Sequence, residues 1–152
     1  MIKGSIREIS GPIVKLRRQL HSIPEIAFNE KKTSSLISKH LLESGLEVIG
    51  GIGKTGVIGI IEGSNPGKTL MIRADIDALP LEEKTELPFS STNGNMHACG
   101  HDTHISILMA TAEVLSKHKD KINGTIKFIF QPAEEGPPPG EEGGAKLMIK
   151  EG

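Results

Sequence analysis

Along residues 5–21, Ile6, Ile9, Ile13, Leu16 and Leu20 recur every three or four positions among charged neighbours. That spacing puts them on one broad helical face, and Pro24 stands just beyond the expected stop. "NEKKTSSLISKHLLESG", residues 29–45, predicts a second helix with Asn29 as its N-cap and Gly45 just past its end. The pattern then shortens. "LEVIGGIG", "GVIGIIEG" and "KTLMIRADID" are aliphatic runs bounded by Gly, Asn and Pro, and they predict three strands. "NPG", residues 65–67, reads as a tight turn between the last two. Residues 81–98 have no period and read as a loop. "THISILMATAEVLSKH" predicts a third helix with Ile107, Leu108, Thr111, Val114 and Leu115 on one side. "GTIKFIFQ" is a strand, "PAEEGPPPGEEGG" a loop, and "AKLMIKEG" the start of a last helix. No internal repeat is visible. The order ααβββαβα predicts an α/β fold, a three-layer sandwich with a mixed sheet.

In such folds, sites form where strands end and helices begin, and three clusters fall at those junctions. "ACGHD" precedes a helix. Cys99 and His101 are two apart, so in extended chain they point the same way and their sulfur and nitrogen could reach one metal ion. The alternative is a buried cysteine beside a helix-capping turn. "QPAEE" ends a strand. Glu134 and Glu135 diverge if extended, one free to bind a metal while the other faces a bound water; otherwise they are a solvated acidic pair. The pairs Glu82-Glu83 and Glu141-Glu142 serve as controls, because both sit in polar context. "RADIDALP" places Asp75 and Asp77 at another strand end, as ligands, as supports for a ligand histidine, or as turn formers before Pro80. "GIGKTG" lacks the first glycine of a phosphate loop, having Val48 there, and leads into a strand. His21 lies near a helix end, where its charge would be mildly favourable. His40 and His118 read as helix-surface residues. His97 and His104 are close to the cluster without a spacing that makes them ligands.

Composition narrows the function classes. The 152 residues suit one domain, with an aliphatic core because there are four Phe and no Trp or Tyr. A formal charge of −1, from 18 basic and 19 acidic residues, gives no case for nucleic acid or an anionic membrane as partner. A single cysteine forms no internal disulfide. No apolar run is long enough to span a bilayer, and "MIKGSIREIS" lacks a signal-peptide core. The expected location is cytoplasmic.

Taken together and in order, "RRQLHSIPEIAFNE", "GKTGVIGII", "LMIRADIDALP", "MHACGHDTHISILMATAEVL" and "IFQPAEEG" resemble the N-acyl-amino-acid amidohydrolases. That branch includes hippurate hydrolase and auxin-conjugate hydrolases, within the aminoacylase and carboxypeptidase metallohydrolases. The resemblance runs from about residue 15 to residue 152. It implies a catalytic α/β domain with two divalent metals, a smaller inserted domain for dimer contacts, and an N-acyl-amino acid as substrate. By match to the family's motifs, Cys99, His101 and Glu135 are the metal ligands, Glu134 the general base and Asp77 the supporting carboxylate. In related branches the position of Asp75 carries a ligand histidine. A thiolate among harder ligands favours Zn, Mn, Co or Ni.

Family members are more than twice this long and carry two further ligand histidines, whereas no histidine follows His118 here. The expectation is that residues 1–152 form the N-terminal part of the catalytic domain. The inserted dimerisation domain and the C-terminal part are then absent, and the isolated chain is inactive or nearly so. A homodimer or a complementing C-terminal half would be the protein partner. Two other readings stay open: a non-catalytic metal-binding or interaction module, and a thiol enzyme with Cys99 as nucleophile and His97 or His101 as base.

Overall fold

The computed structural model describes residues 2–152. Two helices, α1 (Ile2–His21) and α2 (Lys31–Glu43), lead into three strands, β1 (Glu47–Ile52), β2 (Gly56–Glu62) and β3 (Asn65–Asp75). Helix α3 (His101–Ser116), strand β4 (Asn123–Gln131) and helix α4 (Gly144–Lys150) complete the order. The four strands form one mixed sheet, β1-β2-β4-β3. β1 pairs antiparallel with β2 and β2 antiparallel with β4, while β3 runs parallel to β4.

Register decides which side chains go inward. Val57 lies opposite Phe130, and Phe130 opposite Ala74; Gly59 lies opposite Phe128, and Phe128 opposite Ile72. These rows face α2 and α3, and with Leu20, Ile37, Leu41, Leu46, Ile105, Met109 and Ala112 they form the core. Phe128 and Phe130 are fully buried, each contributing about 1.5–3 kcal/mol of apolar burial. Gly59 is needed there: a Cβ on it would sit 3.0 Å from Leu41 and 3.1 Å from Leu46. On the opposite sheet face, α4 lays Ala145 and Met148 near Ile58 and Ile129. The helices thus flank the sheet on both sides, with the third layer reduced to this one helix. Among the described residues, no helix is long and apolar enough to cross a membrane.

Several local expectations are corrected. "NPG" is not a turn joining paired neighbours. It lies inside β3, where Asn65 pairs with Asn123 and a bulge separates Asn65 from Thr69; β4 inserts between β2 and β3, so those two strands never meet. Asn29 does not cap α2. The carboxylate of Glu25 does so from outside the helix, accepting from the amides of Lys32 (3.1 Å) and Thr33 (2.9 Å). On α3, Leu108 and Val114 of the expected face are buried, joined by Ile105, Met109 and Ala112, while Ile107 is exposed and lines an apolar groove against α1. Ile6 is likewise exposed. In each case the helix has two apolar faces, and periodicity alone does not rank them.

The topology brings two chain exits together. Because β3 and β4 are parallel and adjacent, Asp75 is opposite Gln131 where both strands end. The ladder continues one step, with the Ile76 amide donating to the Gln131 carbonyl at 2.9 Å. "IDALP" and "PAEEG" therefore leave the sheet side by side.

Candidate metal centre

His101 is the first residue of α3, preceded by Gly100 in the left-handed region (φ 83°). That turn replaces the extended segment expected for Cys99–His101, so the two side chains are not held in parallel by strand geometry. The His101 ring reaches back to the β3 exit, where Nδ1 donates to the Asp77 carbonyl at 2.9 Å. This bond fixes the ring and leaves Nε2 facing Glu134 and Glu135, each with a carboxylate oxygen at 3.7 Å. Those distances exceed a hydrogen bond. The expected divergence of the two glutamates does not occur. They leave the sheet through a bend, not a strand, and both approach the same nitrogen.

Asp77 is fully buried and ties the two exits together. Its Oδ2 accepts the Glu135 amide at 2.9 Å, and its Oδ1 lies 3.4 Å from His101 Nδ1. Burial alone would raise its pKa, but hydrogen bonds from His101 and from the Glu135 and Glu134 amides outweigh it, and the net shift is downward. For His101, burial works to lower the pKa and is outweighed by the Asp77 carboxylate and carbonyl, which bring it up to about 9. Cys99 is exposed, with its thiol against Glu135; that carboxylate, with a smaller part from burial, pushes the thiol pKa up.

Among the described residues, two groups bring one donor atom each within 4.8 Å of one another: His101, Glu134 and Glu135, and Asp75, His101 and His104. Cys99 belongs to neither and joins the first through its contact with Glu135. Asp75 is buried, with Oδ1 lacking a partner and Oδ2 held by Arg73 at 3.1 Å. His104 is exposed and stacks on His101, with ring centroids 5.6 Å apart. His97 is buried with neither ring nitrogen partnered; burial, reinforced by the charges of His101 and His21, brings its pKa down to about 4 against the opposing pull of Asp102 and Asp77. The donor set fits a divalent cation. An imidazole nitrogen without a hydrogen bond faces two carboxylates, a thiol adjoins them, and the second ring nitrogen is already engaged.

Sequence reasoning missed two buried groups. His21 is the last residue of α1, as expected, but it is buried: Nδ1 meets Asp102 at 2.6 Å and Nε2 meets Glu83 at 2.9 Å. Both ring nitrogens thus face a carboxylate. Arg17 Nε adds a 2.8 Å contact to Asp102. The Glu83 side chain, taken as half of a solvated pair, is thus buried, and it also accepts from the Ser91 amide of the same loop at 2.7 Å. The second group is Glu30, fully buried, which accepts from the Thr55 hydroxyl at 2.6 Å and the Ala133 amide at 3.0 Å. Glu30 and Glu83 both stand among polar neighbours in the sequence, a context that does not separate buried from solvated carboxylates.

Comparison with known proteins places the chain in a family. "Thermostable carboxypeptidase 1" of Saccharolobus solfataricus is 50% identical across 99% of this chain and 38% of its own length. "Hippurate hydrolase" of Campylobacter jejuni is 45% identical across 97% of this chain and 37% of its own. The Bacillus subtilis YXEP protein, described as a dinuclear metal binding peptidase from the M20 family, superposes with a TM-score of 0.81 at 44% identity, over 85% of this chain and 37% of that one. This chain therefore spans well under half the length of these relatives. The family model for peptidase family M20/M25/M40 matches residues 71–152, the stretch holding both strand exits and the start of α3. With that match, and with relatives this similar along nearly the whole chain, the protein belongs to peptidase family M20/M25/M40.

Proposed function

We propose that this chain supplies the N-terminal part of the catalytic domain of a metal-dependent amidohydrolase that cleaves the amide bond of N-acyl-amino acids. The observation that carries this reading is His101 Nε2 facing Glu134 and Glu135, each at 3.7 Å, with Nδ1 locked on Asp77. In this proposal Cys99, His101 and Glu135 hold a divalent cation, drawn from Zn, Mn, Co or Ni, and a complete site holds two. The cation, when bound, supplies Lewis acidity toward water and the scissile carbonyl.

The chain's own residues do the rest. Glu134 is the more open of the two glutamates, its side chain 41% exposed against 20% for Glu135. It takes a proton from the attacking water and returns it to the leaving amine. Asp77 orients the His101 ring and the Glu135 amide and touches no substrate. Release of an amino acid from an acyl group and release of a C-terminal amino acid from a peptide are the same bond cleavage, which accommodates relatives named hippurate hydrolase and carboxypeptidase. The small acyl-amino acid is the proposed substrate. A homodimer or a complementing C-terminal part is the proposed partner. Thiol catalysis by Cys99 is disfavoured, because Glu135 holds the thiol in its protonated, weakly nucleophilic form.

The test is metal uptake followed by amine release from hippurate and N-acetyl-amino acids. One equivalent of Zn or Co is expected, lost in Cys99→Ser and Glu135→Gln. Hydrolysis is expected once the remainder of a relative's chain is supplied, and it should be abolished by chelator and by Glu134→Gln. Metal bound without hydrolysis under that condition would support a non-catalytic metal-binding module.

A further inference from the structure

The two glutamates sit on a short segment whose backbone is constrained at both ends. At the downstream end, Asp77 holds the Glu135 amide. At the upstream end stands Ala133, a non-glycine residue in the left-handed region with φ 47°. An L side chain there costs about 1–2 kcal/mol and persists only where the surroundings impose it. The surroundings are specific. The Ala133 amide donates to Glu30 Oε1 at 3.0 Å, and the Ala133 carbonyl accepts from the Gly144 amide at 3.3 Å. Glu30 comes from 103 residues earlier in the chain, at the entry to α2, and its other oxygen is fixed by Thr55 at 2.6 Å. Neither its own helix nor an ion pair uses this carboxylate: α2 has no side-chain bond from Glu30, and no cation is paired with it among the described residues.

We propose that Glu30 is a positioning residue for the metal centre: by holding the Ala133 amide it keeps residue 133 left-handed and so aims Glu134 and Glu135 at His101. The inference rests on the functional reading above and goes beyond it, since Glu30 touches neither metal nor substrate. A buried carboxylate retained only for packing would be better replaced by an apolar side chain of similar volume. Its pKa is displaced upward, chiefly by burial, so the group opposes its own ionisation where it stands. Stability and positioning therefore separate. Glu30→Leu removes the clamp without leaving a void, while Glu30→Gln keeps an acceptor for the Ala133 amide.

The experiment is Co(II) titration of the full chain, followed by the thiolate-to-cobalt absorption, with thermal unfolding and amide hydrogen exchange measured on the metal-free protein. Glu30→Leu is expected to weaken Co(II) about tenfold or more, the range for supports of metal ligands. It should also deprotect the Ala133 amide and leave the melting temperature unchanged or higher. Glu30→Gln is expected to stay within about threefold of the parent protein, the smaller change following from the retained acceptor. In an Ala133→Gly background, where the left-handed conformation has no steric cost, the loss caused by Glu30→Leu should shrink. Parent-like Co(II) affinity in a folded Glu30→Leu protein, or a loss undiminished by Ala133→Gly, would overturn the proposal. If Glu30→Leu fails to fold, the comparison of Glu30→Gln, alone and with Ala133→Gly, still decides it, since tenfold weakening by the retained acceptor contradicts the clamp. Cys99→Ser and Glu135→Gln run alongside; if they too bind Co(II) as the parent does, the functional reading itself fails, not this inference.

Discussion

The Glu83 carboxylate offers a stability test with a defined sign. Burial opposes its charge, yet the Thr85 hydroxyl, the Ser91 amide and His21 more than compensate and bring its pKa from an ordinary 4.5 to about 2. A carboxylate whose pKa is depressed on folding stabilises the protein above its unfolded value, and that stabilisation disappears as pH falls through the folded value. The window is therefore pH 4.5 down to about 2. A gap of this size corresponds to roughly 3 kcal/mol at 1.36 kcal/mol per unit, and about 2 kcal/mol after allowance for solvent screening at the loop. Glu83→Gln keeps the shape and one acceptor oxygen but leaves the His21 ring with one carboxylate, Asp102. Urea unfolding at a series of pH values, followed by far-UV circular dichroism, measures the difference from the parent. The expected loss is about 2 kcal/mol at pH 7, shrinking toward zero as both proteins are taken below pH 3. A loss under about 0.5 kcal/mol at pH 7, or one that stays constant across the acid range, would refute the buried ion cluster as described.

Two further outcomes follow from the same contacts. Asp77→Asn must either turn its NH2 group toward the donating Glu135 amide or exchange the charged oxygen 3.4 Å from His101 Nδ1 for that NH2 group; calorimetric titration should show metal affinity falling about 10–100-fold. Gly144→Ala would place a Cβ 1.8 Å from the Pro132 carbonyl oxygen, and thermal unfolding should report a loss of about 2–3 kcal/mol, because the backbone beside Ala133 has to move.

Much of the fold was legible because its signals are local. The run "GTIKFIFQ" specifies β4, and Gly45, with φ 80°, ends α2 where expected. What the chain order could not reveal was that β4 slides between β2 and β3, since the signals that end a strand say nothing about its neighbour. That hidden adjacency is what sets "RADID" beside "QPAEE". For the site, the residue types at Cys99, His101, Glu134, Glu135 and Asp77 were readable from motif and junction. Their geometry was not: it depends on two left-handed residues, Gly100 and Ala133. Ala133 in particular could not be foreseen, because alanine carries no mark of a left-handed backbone. The pairing of His21 with Glu83 was not legible for a related reason: a polar stretch can be a solvated loop or one that buries an ion pair, and only the partner 62 residues away distinguishes them.

The account turns on sulfur, nitrogen and carboxylate oxygen from separate junctions meeting at one cation. X-ray absorption at the zinc edge of the Zn-loaded chain measures that directly. One sulfur neighbour at about 2.3 Å with nitrogen and oxygen neighbours at about 2.0–2.2 Å is the expected first shell. A shell of nitrogen and oxygen alone, unchanged in Cys99→Ser, would contradict it.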